Sequence, residues 1–252
     1  MTQRFQRLGI PAHAADPGYF LRSLANIPTS YSERFHSDIL RRKIGDHSSA
    51  AVCFYIVEDL TQCAEHAQQV LSGVQELFLG DWRHHSETDD GVVDPEWWHA
   101  HLWWTQEYRA YLGWGSALGE WEQLKSVSEY PEGRCPVGES GEAEKVYLCS
   151  VANSILEKDL AAAVESLKSL AGGHERRFAL LANLELAFVD RDGAMLQRAF
   201  DQYLAYFAKH DAKQNTIVRV SFEATLYFHR ARVAQIPVRL SHDHVDYIVQ
   251  LD

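Results

Sequence analysis

The chain is poor in the residues and patterns that most readily announce a function. Cysteine is sparse: Cys53, Cys63, Cys135 and Cys149, with no C-x-x-C spacing. This excludes a disulfide-stapled scaffold and a C-x-x-C zinc or redox motif. Reading residues 48–79 as one helix places Cys53 and Cys63 about 15 Å apart along its axis. A disulfide reaches about 7 Å between Cα atoms, so a reducing compartment is expected. Long apolar runs are missing as well. The longest, Ala50 to Val57, has eight residues, against roughly 20 for a membrane-spanning helix. The opening Met1-Thr-Gln-Arg-Phe-Gln-Arg-Leu8 has no apolar signal-like core. A cytoplasmic location without a membrane partner is expected. Basic charge is short too, with 24 Lys and Arg against 35 Asp and Glu and a net charge of −11. That disfavours a nucleic-acid partner and suits a protein partner with a basic surface.

Catalytic and metal-binding patterns are also lacking. Gly113-Trp-Gly-Ser-Ala-Leu-Gly119 does not have the G-x-G-x-x-G spacing, and no strand precedes it. Its glycines are read as places where helices approach closely. Gly138-Glu-Ser-Gly141 is not a nucleophile elbow. His174-Glu-Arg-Arg-Phe178 opens like H-E-x-x-H but has no second histidine. His84-His85, His99-Ala-His101 and His242-Asp-His244 invite a metal reading. On a helix, however, i and i+2 side chains point about 200° apart, so His99 and His101 cannot chelate together. The expectation is no catalytic residue, no cofactor, no metal and no enzymatic turnover.

What the chain does have is aromatic bulk and helical periodicity. All seven tryptophans lie between Trp82 and Trp121. Positions 97, 98, 103 and 104 spread too widely around a helix to share one face, so some should reach a surface. Trp114 and Trp121 are expected in the core. A short helix is predicted over 32–44, ended by Gly45-Asp46, and a long one over 48–79. Asp94-Pro95 supplies an N-cap followed by proline at the first helical position, starting a helix that runs to about Leu118. Another starts at Gly119-Glu120-Trp121 and stops at Tyr130-Pro131.

Three apolar stripes at helical spacing follow. They are Leu160, Ala163, Val164, Leu167 and Leu170; then Leu181, Leu184, Ala187 and Phe188; then Leu196, Ala199, Phe200, Tyr203, Leu204 and Phe207. A helix over 217–234 and a last one over 243–251 complete the prediction. Glu120, Asp159 and Asp192 each open a helix at intervals of 39 and 33 residues, the spacing of stacked helical hairpins. The expected fold is all-α, with nine to eleven helices in an irregular, solenoid-like stack of antiparallel hairpins. It forms one domain over 1–252, with N-terminal helices to residue 80 and the hairpin stack over 94–252.

The segment Ala199-Phe-Asp-Gln-Tyr-Leu-Ala-Tyr-Phe207 joins three others in carrying a resemblance. These are Tyr111-Leu-Gly-Trp-Gly-Ser-Ala-Leu-Gly-Glu-Trp121 with Tyr130-Pro131, then Val220-Ser-Phe-Glu-Ala-Thr-Leu-Tyr-Phe-His-Arg-Ala-Arg232, and the closing His244-Val-Asp-Tyr-Ile-Val249. Over about residues 96–252 the chain resembles the helical immunity proteins of bacterial polymorphic-toxin and contact-dependent competition systems. The resemblance implies an α-helical protein that binds and neutralises one cognate toxin. It carries no catalytic residues with it.

Local charge excess supplies the candidate partner surface: Asp89, Asp90, Asp94 and Glu96 beside Trp97 and Trp98, and Glu139, Glu142 and Glu144 in the second acidic stretch. A basic, nuclease-like toxin domain would suit it. If that surface fails, the hairpins around Tyr203 and His229 are next. The alternative function is a tetratricopeptide-like adaptor or chaperone that holds a peptide in a concave groove.

Overall fold

Four helix starts are fixed by a side-chain oxygen accepting a backbone N–H. Asp16 accepts from Gly18, Asp59 from Gln62, Asp192 from Met195 and Ser221 from Ala224. Each satisfies one of the donors that a helix leaves open at its first turn. The computed structural model describes residues 4, 7–8, 16–27, 36–80, 105–129, 143–212 and 220–251. Among the described residues there are ten α-helices and no strand. They are α1 (Pro17–Ala25), α2 (His36–Ile56), α3 (Leu60–Leu79), α4 (Thr105–Leu118), α5 (Trp121–Ser128), α6 (Ala143–Leu156), α7 (Leu160–Ala171), α8 (Arg176–Val189), α9 (Gly193–His210) and α10 (Phe222–Val233). A 3-10 turn, Val245–Tyr247, follows.

The all-α reading therefore holds. Helices α2 and α3 form one hairpin, with α1 against α2, and α6 through α9 pack as consecutive pairs. Glu120, Asp159 and Asp192, the recurring residues of the sequence, sit at the N-cap positions of α5, α7 and α9. Helix α10 breaks the nearest-neighbour order. It packs mainly on α4, with further contacts to α8 and α9, and its residues from Glu223 to Ala231 are all buried. A helix covered on all sides belongs inside, and α10 links α4, itself packed on α3, to the C-terminal stack.

The contacts of α4 with α10 and with α5 explain the glycine-rich stretch. A Cβ on Gly113 would sit 2.6 Å from the Phe222 side chain and 2.9 Å from its Cα, and one on Gly115 would meet Leu124 at 2.5 Å. Close helix approach is their role, as the sequence suggested. Trp114 between them is fully buried, lies edge-on to Phe222 and donates from Nε1 to Ser48 Oγ at 3.0 Å. Truncating a buried indole costs about 3–5 kcal/mol. Trp121 is half-buried, packed against the core from the start of α5, so the core assignment is full for Trp114 and partial for Trp121.

Elsewhere the structure corrects the sequence reading. Gly45-Asp46 does not end a helix; α2 runs through it. The predicted helix over 48–79 is two helices that turn at Val57–Asp59. Glu58 takes a left-handed φ of 65°, and the amides of Glu58 and Asp59 close back onto Tyr55 and Phe54. Cys53 and Cys63 thus lie on facing helices rather than along one. Burial raises both thiols, to about 11 and about 12, which makes them inert.

The predicted helix over 217–234 begins later, at Phe222, behind the Ser221 cap. The predicted last helix reduces to the 3-10 turn because its backbone is used for tertiary bonds. Tyr55 Oη donates to the Ile248 carbonyl, His229 Nε2 pairs with the Val249 carbonyl, and the Val249 amide donates to Thr225 Oγ1. Of the first apolar stripe, Leu160 is exposed, whereas Ala163 and Leu167 are buried. The helix start at Asp94-Pro95 lies outside the described residues, as do Trp82, Trp97, Trp98, Trp103 and Trp104.

Candidate functional site

Two ionic clusters are built around α10. The first is closed. Arg230, 6% exposed, donates from Nη1 to Glu185 Oε2 at 2.7 Å and from Nη2 to Ser154 Oγ at 2.9 Å. Tyr227 Oη donates to the same Glu185 oxygen at 2.6 Å and meets Tyr147 Oη at 3.0 Å. The guanidinium also lies 4.0 Å from the centre of the Phe188 ring. Every charged atom of this pair has a partner, so its two buried charges offset their own desolvation and it works as a clamp between α6, α8 and α10.

The second cluster opens into a cleft of about 600 Å3 between α2, α4 and the facing ends of α8, α9 and α10. Its wall is charged. Glu223, in the first turn of α10, pairs with Arg109 of α4 and with Arg177 of α8, the latter at 3.0 Å. Arg109 Nη1 also donates to Glu144 at 3.0 Å, and Arg177 Nε lies 3.5 Å from Asp211 Oδ2. Tyr203 Oη donates to Glu223 Oε2 at 3.1 Å. Glu107 accepts from Arg41 Nε at 2.8 Å through Oε1 alone. The floor is apolar, made by Ile44, Phe207, Val220 and Phe222.

The electrostatics of this wall are uneven. Burial would raise the Glu223 carboxyl, but the two guanidiniums outweigh it and hold it at about 2. Asp211 goes the other way: burial raises it despite Arg177 nearby. Buried atoms without a hydrogen-bond partner gather here. Glu107 Oε2, Arg109 Nε, Arg177 Nε and Asp211 Oδ2 are four of the five such side-chain atoms among the described residues. Each has at most one-third of its side chain exposed, Glu107 only 10%. A buried polar group without a partner costs about 1–3 kcal/mol. Such costs gathered in one cleft mark a place where stability has been given up for something else.

Two of these charges also oppose the helices that carry them. Arg177 lies in the first turn of α8, which has no acidic residue, and Asp211 is the C-cap of α9. Helix dipoles favour the reverse placement. Neither residue is where helix stability alone would put it.

Of the residues singled out in the sequence, Asp89, Asp90, Asp94, Glu96, Trp97, Trp98, Glu139 and Glu142 lie outside the described residues. Glu144 is described, and its carboxylate pairs with Arg109 on the rim of the cleft. The Tyr203 and His229 side chains are themselves buried. His242 and His244 are exposed or half-exposed near the C-terminus, and no group of three His, Cys, Asp or Glu able to hold a metal occurs among the described residues. No described helix is long and apolar enough to cross a membrane.

The sequence reading missed Glu107, Arg109, Arg177, Asp211 and Glu223. The available signal was a lone carboxylate in an otherwise apolar helix start, Val220-Ser-Phe-Glu223, and an Arg-Arg pair opening α8 where an acid is normal. Compared with protein-family models, curated proteins and solved structures, the chain matches none.

Proposed function

We propose that this chain is an immunity protein, which binds a cognate bacterial toxin and occludes its active or substrate-binding site. The observation that carries this reading is the unsatisfied charged cleft and its position in the chain. Gln106, Asp211 and Val220 line it and Glu144 stands on its rim. These residues adjoin segments 81–104, 130–142 and 213–219. The first two contain the acidic and aromatic residues that the sequence nominates for partner binding. A net charge of −11 supports a basic partner, whose encounter it would accelerate. The chain acts by occupying a surface and performs no turnover of its own. The alternative, an adaptor or chaperone that holds a peptide, draws on the same cleft, because an apolar floor under a polar wall suits an extended segment.

Co-expression separates the two. The toxin encoded beside this chain should arrest growth alone and be neutralised when the chain is present, with a one-to-one complex on purification. Reversing Asp89 and Asp90 to Lys should slow association and flatten its salt dependence while leaving thermal stability nearly unchanged. Full growth arrest in the presence of the folded chain would sink the immunity reading. Binding of several unrelated peptides without protection would favour the adaptor.

A further inference from the structure

Resting on the reading above that the partner is a protein, we propose that the cleft between α2, α4 and α10 receives one basic side chain, Arg or Lys, together with the backbone carbonyl beside it. The argument begins with charge. Glu107, Asp211 and Glu223 face the cleft against Arg109 and Arg177. On its rim, Glu144 pairs with Arg109, and Arg41, with 43% of its side chain exposed, reaches Glu107 from outside. Four carboxylates stand against three guanidiniums, so one negative charge remains for an occupant to neutralise.

The unpartnered atoms then set the occupant's shape. Glu107 Oε2 can only accept, and calls for a donor that is preferably cationic. Arg109 Nε can only donate, and calls for an oxygen, whereas Arg177 Nε and Asp211 Oδ2 face each other at 3.5 Å as an ion pair short of a hydrogen bond. An anion would meet the bare Glu107 oxygen, and an apolar group would leave that oxygen and Arg109 Nε unsatisfied. The floor of Ile44, Phe207, Val220 and Phe222 suits the methylene stem of a long basic side chain, which buries its carbons and extends its charged head to the polar wall. A peptide segment bearing Arg or Lys supplies the donor, the carbonyl oxygen and the stem in one ligand. Glu107 is the deciding residue. It is nine-tenths buried, and one oxygen is engaged by Arg41 while the other is bare.

The test is titration of the full chain with N-acetyl-arginine methylamide, followed by amide shifts in a nuclear magnetic resonance spectrum. The norleucine and glutamate analogues serve as neutral and anionic comparisons. The arginine compound should produce saturable shifts at residues around Ser48, Ala110 and Val220, and the other two should not. Glu107→Gln should weaken its binding about tenfold, the loss of one charge-assisted bond. Glu122→Gln, an exposed carboxylate on α5, should leave binding unchanged. Equal binding of the norleucine or glutamate analogue, no saturable shift with the arginine compound, or wild-type affinity in a folded Glu107→Gln variant overturns the proposal. If that variant does not fold, the three-compound comparison on the wild-type chain still decides it. The titration needs no toxin. Neutralisation without arginine binding refutes this inference alone, and arginine binding without neutralisation refutes the immunity reading alone.

Discussion

The two ionic clusters on α10 use the same chemistry to opposite ends. Arg230 and Glu185 are sealed in, with each charge matched by a charge, a hydroxyl or a ring. Seven residues earlier on the same helix, Glu223 gathers two arginines but leaves buried donors and acceptors around it unmatched. The closed cluster sits where three helices pass one another in the interior. The open one sits where helix ends meet and a cleft remains. A saturated buried network specifies a packing, and an unsaturated one stores the capacity to bind.

That contrast can be broken most severely at the closed end. Arg230→Met leaves Glu185 buried without its cation and should lower the free energy of unfolding by about 3–5 kcal/mol. Chemical denaturation measures it. The double change Arg230→Met with Glu185→Leu should recover much of the loss, because an apolar pair needs no compensation. Equal destabilisation by the single and double variants would show that the cluster is not a self-contained pair.

At the open end the effect is tied to pH. The Glu223 carboxyl is held at about 2 in the fold, below the value near 4.3 of a free Glu. A group with a lowered folded value adds stability above the free value and loses it as pH falls through the folded one. The contribution, about 3 kcal/mol at neutral pH, should therefore disappear between about pH 4.3 and 2. Denaturation midpoints across that window measure it, and Glu223→Gln should flatten the slope there. His47 is a separate acid-side contributor. Burial and the neighbouring His66 lower it to about 4, so its share is lost between about pH 6.5 and 4 and persists in the Glu223→Gln variant. An unchanged slope below pH 4.3 in that variant would remove Glu223 from the account.

The smallest effect sharpens the comparison most. Burial raises Asp211 in the fold, so its charged form opposes folding at neutral pH. Asp211→Asn should leave the thermal midpoint unchanged or raise it, whereas loss of a carboxylate from the closed cluster lowers it. A clear fall in midpoint for Asp211→Asn would mean that the cleft is a stabilising network after all.

How much of this was legible in the sequence depends on which physical signal each feature leaves. Apolar spacing marks α8 and α9 well, because Leu181, Leu184 and Ala187, and Leu196 through Phe207, face a core that every neighbouring turn repeats. The close approach at Gly113 and Gly115 was readable because few other roles need glycine inside a helix. The break at Val57–Asp59 was not. It is made by Glu58 in a left-handed conformation, with no glycine or proline to announce it. Glu157, Asp159, Arg191 and Gln235 also take positive φ without being glycine, but there Asp159, Asp192-Gly193 and Pro237 mark the breaks in the sequence.

The site was less legible than the fold. The carboxylates singled out were those with local excess, since excess can be counted along a chain. Those that matter in the cleft are single residues on different helices: Glu107, Asp211 and Glu223. Their meaning lies in being brought together, which no local window contains. Composition and periodicity by themselves determined an acidic, all-helical chain with its core stripes and the helix starts at Glu120, Asp159 and Asp192, because these depend on neighbours within a turn or two. Which charges are sealed and which remain open was decided only by the tertiary structure, because desolvation and pairing depend on what packs against a side chain from across the molecule.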